Sequence, residues 1–297
     1  MNRVLIILIF LWFSLLPGVT TMAQPVEIVL TADKTEFMLG EPVVVLVALT
    51  NKGQEPLKVS PELGPEGDNL QYRITGPGGK GTAFSPLFVE DRADFRTLAT
   101  GEMVRGTARI FYGGNGYSFP DAGTYSVVAS FKGSRSAALR LKVLPPQTNA
   151  EREQSRLILG QNEVGLFLML EGGDELAEAQ KQIEQLTTRY PDALLTSYVR
   201  YAVAKNLSVP ARNFVSQKPR AADLPQSISI MKSLTEKNMV LYYQAKVATT
   251  LSAMLSKTNR NEEARSVLQQ FQSRLSKMES IRPYFMPDIE QRLKKME

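Results

Sequence analysis

Leu144-Pro145-Pro146-Gln147-Thr148-Asn149-Ala150 divides the chain. Before it, apolar residues recur every second position. After it, they recur every third or fourth. Two consecutive prolines cannot continue a strand ladder, because each lacks a backbone N–H. The stretch therefore reads as the boundary between a strand half, 24–146, and a helical half, 147–297. The change of period leads to the expectation that the two halves fold separately.

On the N-terminal side, Val26-Glu27-Ile28-Val29-Leu30 alternates as a first strand, and Val43 to Thr50 is a long β-branched run. Leu57-Lys58-Val59, Leu70 to Ile74, Val104 to Phe111, Tyr125 to Phe131 and Ala138 to Val143 continue the pattern. Breaks rich in Gly and Pro at 64–67, 76–81 and 113–116 separate them. Seven or more short strands over this length predict an antiparallel β-sandwich. On the other side, Leu157 to Leu170 predicts one helix, closed by Gly172-Gly173-Asp174. Leu176, Ala179, Ile183 and Leu186 give the apolar stripe of a second. A third starts at Pro191-Asp192 and runs to about Asn206. Residues 207–226 read as irregular. Helices resume at about 227–236, 238–257, 261–279 and 284–296. The predicted fold class is all-β plus all-α, in two domains.

The first residues form a further segment. Asn2 and Arg3 precede the apolar run Val4 to Leu16, Pro17-Gly18 break it, and Thr21-Met22-Ala23 puts small residues before Gln24. This is the pattern of a secretory signal peptide, residues 1–23, and leads to the expectation of a periplasmic or secreted protein. Its 13-residue run is short of the ~20 residues that span a bilayer, so no membrane span is expected in the mature chain.

Composition excludes a good deal of chemistry. The 297 residues contain no Cys and no His, and Trp12 is the single Trp. Disulfides, Ser-His-Asp triads, Cys nucleophiles, HExxH motifs and most zinc sites are thereby impossible within this chain. Residues 24–146 are charge-balanced and 147–297 carry a surplus of four cations. That surplus is too mild to point to nucleic acid. No cofactor or metal site is predicted, and the chain reads as non-enzymatic.

Several motifs have a functional and a plain reading. Ser229-Ile230-Met231-Lys232 matches S-x-x-K without its companion motifs, and reads as one helix face. Gly76-Pro77-Gly78-Gly79-Lys80-Gly81 lacks Walker spacing and reads as a hairpin turn. Gly113-Gly114-Asn115-Gly116 reads as a connector, with Tyr112, Tyr117 and Phe119 as a candidate contact tip. Glu90, Asp91 and Asp94, with Arg92 and Arg96 between or beside them, read as a solvated loop with Ca²⁺ as the sharper alternative. Tyr198, Tyr201, Tyr242, Tyr243, Tyr284 and Phe285 pack a helical core or grip a peptide. Arg212, Lys218 and Arg220 form a solvated loop or dock an acidic partner.

Two resemblances follow from quoted residues. Leu39-Gly40-Glu41-Pro42-Val43 with Leu49-Thr50-Asn51-Lys52-Gly53, and Phe119 to Val127, resemble bacterial Ig-like domains. The likeness puts Tyr125 at a tyrosine corner, its hydroxyl bonded to nearby backbone, and puts Val127 where antibody domains carry a Cys. Gly173 to Ala179, Arg189-Tyr190-Pro191-Asp192, and Asn261 to Ala264 with Val267, Leu268 and Phe271 resemble tetratricopeptide-like helix pairs. Ala179 and Ala264 lie 85 residues apart, which is no multiple of the family's ~34-residue period, so a helix-pair bundle is expected and not a regular superhelix. Together the resemblances imply an exported protein that works by protein–protein contact, with the helical half docking an unknown protein and the strand half as spacer or adhesion module. The alternatives are a carbohydrate- or surface-binding protein acting through the strand-half loops, and a secreted protease inhibitor or carboxylate-based enzyme.

Overall fold

The computed structural model describes residues 25–60, 62–67, 70–89 and 95–296. The predicted leader and the acidic cluster Glu90, Asp91 and Asp94 lie outside the described residues. Within them the chain is a mixed strand-and-helix protein. The strands are β1 (Val26–Thr31), β2 (Glu36–Met38), β3 (Val44–Asn51), β4 (Leu57–Val59), β5 (Gln71–Thr75), β6 (Gly81–Ala83), β7 (Arg96–Leu98), β8 (Met103–Arg109), β9 (Tyr112–Gly113), β10 (Gly116–Tyr117), β11 (Gly123–Phe131), β12 (Ser134–Arg135) and β13 (Leu139–Leu144). Then come α1 (Asn149–Leu159), α2 (Asn162–Leu170), α3 (Ala177–Arg189) and α4 (Leu194–Leu207). A hairpin of β14 (Ala211–Arg212) and β15 (Pro219–Arg220) interrupts the helices. The chain closes with α5 (Leu224–Leu234), α6 (Leu241–Lys257), α7 (Asn261–Leu275) and α8 (Arg282–Lys294).

The larger sheets are small and open. One has the order β1-β3-β8, and the other β2-β13-β11-β5-β6 with β12 beside β11. Pairing is antiparallel except between β13 and β2, which run parallel. The second sheet follows the period-two pattern closely: β11 alternates buried and half-buried or exposed residues, with Tyr125, Val127, Ala129 and Phe131 inward. In β3 the alternation fails, and every residue from Val44 to Asn51 is buried. The reason is cover on both faces. Val45, Val47 and Leu49 belong to the core of the strand half, whereas Leu46 packs with Leu241, Ala245, Phe285 and Met286 of α6 and α8. A strand buried on both faces reads as a continuous apolar run, and that is what Val43 to Leu49 is.

The boundary behaves as its residues dictate. After Pro145-Pro146, Thr148 and Glu151 form a capping box that starts α1: Glu151 N–H donates to Thr148 Oγ1 at 3.1 Å,. The first helix expected from Leu157 to Leu170 is two, parted at Gly160-Gln161, and the segment expected to be irregular holds the β14–β15 hairpin. The core does not stop at the boundary. One cluster of buried side chains runs from Val26 through Tyr125 to Tyr198 and Leu255, across both halves. No helix among the described residues is long and apolar enough to cross a membrane.

Candidate functional site

The sequence-selected aromatics gather where the halves meet. Tyr112 and Phe119 are buried, and their rings turn inward and not to a tip. Tyr112 lies edge-on to Tyr117, with centroids 4.9 Å apart, and Phe119 lies likewise against Tyr125. Tyr117 donates from its hydroxyl to Ile158 O of α1 at 2.6 Å. A Cβ on Gly165 of α2 would stand 2.2 Å from the Tyr112 ring, so only glycine lets this helix settle on it,. The expected contact tip is therefore the seat of the chain's own helices.

The helical tyrosines do the same from the other side. Tyr198, Tyr201 and Tyr243 are each about 1% exposed, and Tyr242 is half-buried. Their rings meet edge to face, with Tyr198–Tyr243 at 5.0 Å and Tyr201–Tyr243 at 5.3 Å. Burial pushes each of these phenols above its usual range,. Tyr198 reaches Glu41 and accepts from Val240 N–H. Beside this cluster a cleft of about 330 Å³ lies between the halves, lined among others by Thr107, Arg109, Tyr242 and Lys246. Arg109 donates to Met169 O at 2.9 Å and so ties β8 to the end of α2.

The three cations of the proline-punctuated segment part company. Arg220 is structural: Nε donates to Asp174 Oδ2 at 2.7 Å and Nη2 to Asn206 O at 3.0 Å. Asn213 completes the base by donating to Asp174 O at 2.7 Å. Burial raises the Asp174 carboxyl, but hydrogen bonds from Arg220 and Asn206 and the Arg220 charge outweigh it and hold it below its usual range,. Arg212 and Lys218 stay exposed on the hairpin flanks. At the tip, Asn213 Oδ1 accepts from Val215 N–H and Ser216 N–H, and Gln217 takes a left-handed φ of 58°,. This built turn holds Phe214 72% exposed and Val215 81% exposed. Sequence reasoning missed both residues. The available signal was an apolar pair between Pro210 and Pro219, outside any helical stripe.

Two glycine-rich breaks, read separately as a hairpin turn and a connector, prove to be neighbours. The β5–β6 turn and the 113–121 segment line a common groove of about 290 Å³. The S-x-x-K pair offers no nucleophile. Lys232 is held by Glu263 at 2.8 Å, and Ser229 faces solvent. Among the described residues no group of three or more His, Cys, Asp or Glu is placed to hold a metal ion.

The structure thus defines a strand-rich half joined to helix hairpins through a shared core. No family model matches the chain, and no curated protein matches its sequence. Solved structures give partial likenesses. A β-glucosidase from Listeria innocua in complex with isofagomine is 14% identical, with TM-score 0.27, over 41% of this chain and 16% of that chain. An alkylpurine DNA glycosylase of Pseudomonas fluorescens, bound to DNA containing an abasic site analog, is 18% identical, with TM-score 0.28, over 41% and 31%. β-Glucosidase 3B from Thermotoga neapolitana, in complex with glucose, is 18% identical, with TM-score 0.27, over 40% and 16%. The chain spans less than a third of the length of each, and no activity is carried over from them.

Proposed function

We propose that this chain is an exported, non-enzymatic protein that works by docking a protein partner on the β14–β15 hairpin of its helical half. One observation carries the reading. Phe214 and Val215 stand in solvent on a turn fixed by Asn213 and anchored through Arg220 to Asp174. Leaving two such side chains in water forgoes roughly 1.5–3 kcal/mol each, a cost that a partner surface recovers. The exposed Arg212 and Lys218 flank the tip, so the partner surface is apolar with an acidic rim.

In the same reading residues 1–23 are a cleaved signal peptide, the protein is periplasmic or secreted, and 24–146 is an Ig-like sandwich that braces 147–297, a helix-pair domain of tetratricopeptide-like kind. Tyr125 supports the Ig-like reading. Its hydroxyl accepts from Asp121 N–H at 3.1 Å and donates to Asp121 O at 2.9 Å, the backbone bond of a tyrosine corner,.

A photo-crosslinking residue at Val215 tests the reading in the protein's own cells. A discrete crosslinked protein, lost in a Phe214→Ser/Val215→Ser background that melts like the parent, is the expected result. The absence of any adduct rejects the docking reading. Binding of the purified chain to anionic vesicles, lost in the same double variant, moves the hairpin to a membrane surface.

A further inference from the structure

We propose that the groove between the β5–β6 turn and the 113–121 segment binds one neutral pyranose unit of a carbohydrate. It lies on the strand half and is independent of the hairpin. Its walls are fixed before any ligand arrives. On one side Gly79 N–H donates to Gly76 O at 3.0 Å and closes the turn that carries Lys80. On the other, Gly114 N–H donates to Ser85 O at 2.8 Å. A Cβ on Gly113 would stand 2.2 Å from Ser85 O, so the glycine is what lets the two segments touch,. Ile74, Phe84 and Tyr125 contribute apolar surface to the lining.

The lining chemistry selects the ligand. Lys80, Thr82, Ser85, Asn115, Ser118 and Asp121 all border the groove. Among the described residues, none of the six hydrogen-bonds or ion-pairs through its side chain, although backbone bonds such as Gly114 N–H to Ser85 O and Ser118 N–H to Phe111 O hold the segments that carry them. They offer a carboxylate, an amide, an ammonium and hydroxyls. Vicinal hydroxyls donate to a carboxylate and accept from an amide or ammonium, so a polyol satisfies all three at once. Ring C–H faces of a sugar suit the aromatic and aliphatic lining. A phosphate is disfavoured, because the lining carries the Asp121 carboxylate as well as the Lys80 ammonium. The volume of about 290 Å³ is close to the ~300 Å³ lower bound of small-molecule sites, enough for one ring and too short for an extended peptide,.

Saturation-transfer NMR on the full mature chain tests this, with glucose, galactose, mannose, N-acetylglucosamine and their disaccharides as probes. At least one neutral sugar is expected to receive saturation. Asp121→Ala and Asn115→Ala are each expected to weaken the best ligand by at least about tenfold. Both side chains are exposed, and Asp121 serves Tyr125 only through its backbone, so the melting temperature is expected to stay put. Ser118→Trp, which fills the groove, is expected to abolish binding, whereas Phe214→Ser leaves it intact. No neutral sugar binding overturns the proposal, as does affinity that survives both alanine variants. Binding confined to sulfated or uronic sugars and abolished by high salt overturns it too, in favour of attraction to Lys80 alone.

Discussion

The hydroxyl of Tyr198 on α4 donates a 2.5 Å hydrogen bond to Glu41 Oε1 in the turn before β3, joining residues 157 positions apart. Glu41 is 4% exposed, and the same carboxylate accepts from Lys34 Nζ and from Met38 N–H. A buried carboxylate persists only with such partners. Nearby, Asp33 Oδ2 accepts from Leu241 N–H at 2.6 Å, at the first turn of α6. Two acids of the strand half thus hold two helices of the other half.

Tyr198→Phe leaves Glu41 with one partner fewer and strips Val240 N–H of its acceptor. The expected loss is about 1–3 kcal/mol of unfolding free energy. Urea denaturation of the full chain measures it. A midpoint equal to the parent's rejects the linking role.

Tyr125→Phe removes the corner bonds to Asp121 and is expected to cost about 1 kcal/mol. The melting temperature falls while sugar and partner binding stay as they were. An unchanged melt takes away the residue-level support for the Ig-like reading. Lost sugar binding at unchanged stability would show that the Tyr125 hydroxyl, and not only its ring, serves the groove.

Two carboxylates predict opposite pH responses. Asp174 has a folded pKa below its unfolded value near ~3.9, so its contribution is full above that value and is lost as pH falls through the folded pKa,. Asp174→Asn is therefore expected to be most harmful at neutral pH and nearly silent in strong acid. Asp33 is raised by burial, against the Leu241 hydrogen bond. Its contribution is full below the unfolded pKa and is lost as pH rises through the folded one. Asp33→Asn is expected to look better, relative to the parent, at neutral pH than in acid. Stability curves of the three proteins across the acid range check both signs, and parallel curves contradict them.

Separate expression of 24–146 and 147–297 addresses the shared core. Leu46, Tyr112 and Tyr198 each meet the opposite half: Leu46 packs with Leu241 and Phe285, Tyr112 lies against Gly165, and Tyr198 bonds Glu41. The full chain is expected to melt in one transition, with each half alone less stable than the whole. Two well-separated transitions in the full chain, matching those of the isolated halves, restore the independence that the change of period suggests.

The change of period at Leu144 to Ala150 was legible because strand and helix print different repeats on their apolar residues. The Tyr125 corner was legible because both partners lie within four residues. Glu41 gave no sign of its role, since nothing local distinguishes a turn acid in solvent from one awaiting a tyrosine in a distant helix. Tyr112, Tyr117 and Phe119 misled for the same reason. Alternation tells which face of a strand is apolar, but not whether a sheet or a later helix covers it. The groove went unseen because its two walls are separated in sequence and meet only in the fold, where β5 pairs with β11 and Gly114 N–H donates to Ser85 O.

The two-sided burial of β3 sets a schedule for biogenesis. Synthesis runs from the N-terminus, so Leu46 emerges nearly two hundred residues before the Leu241 that covers it. Through that interval the nascent strand half displays an apolar face with no cover, the kind of surface that aggregates or recruits a holding chaperone. Ribosome-bound chains halted before α6 are expected to be captured by such chaperones and those halted after α8 to be released. A Leu46→Thr substitution would ease the first state at the expense of the last.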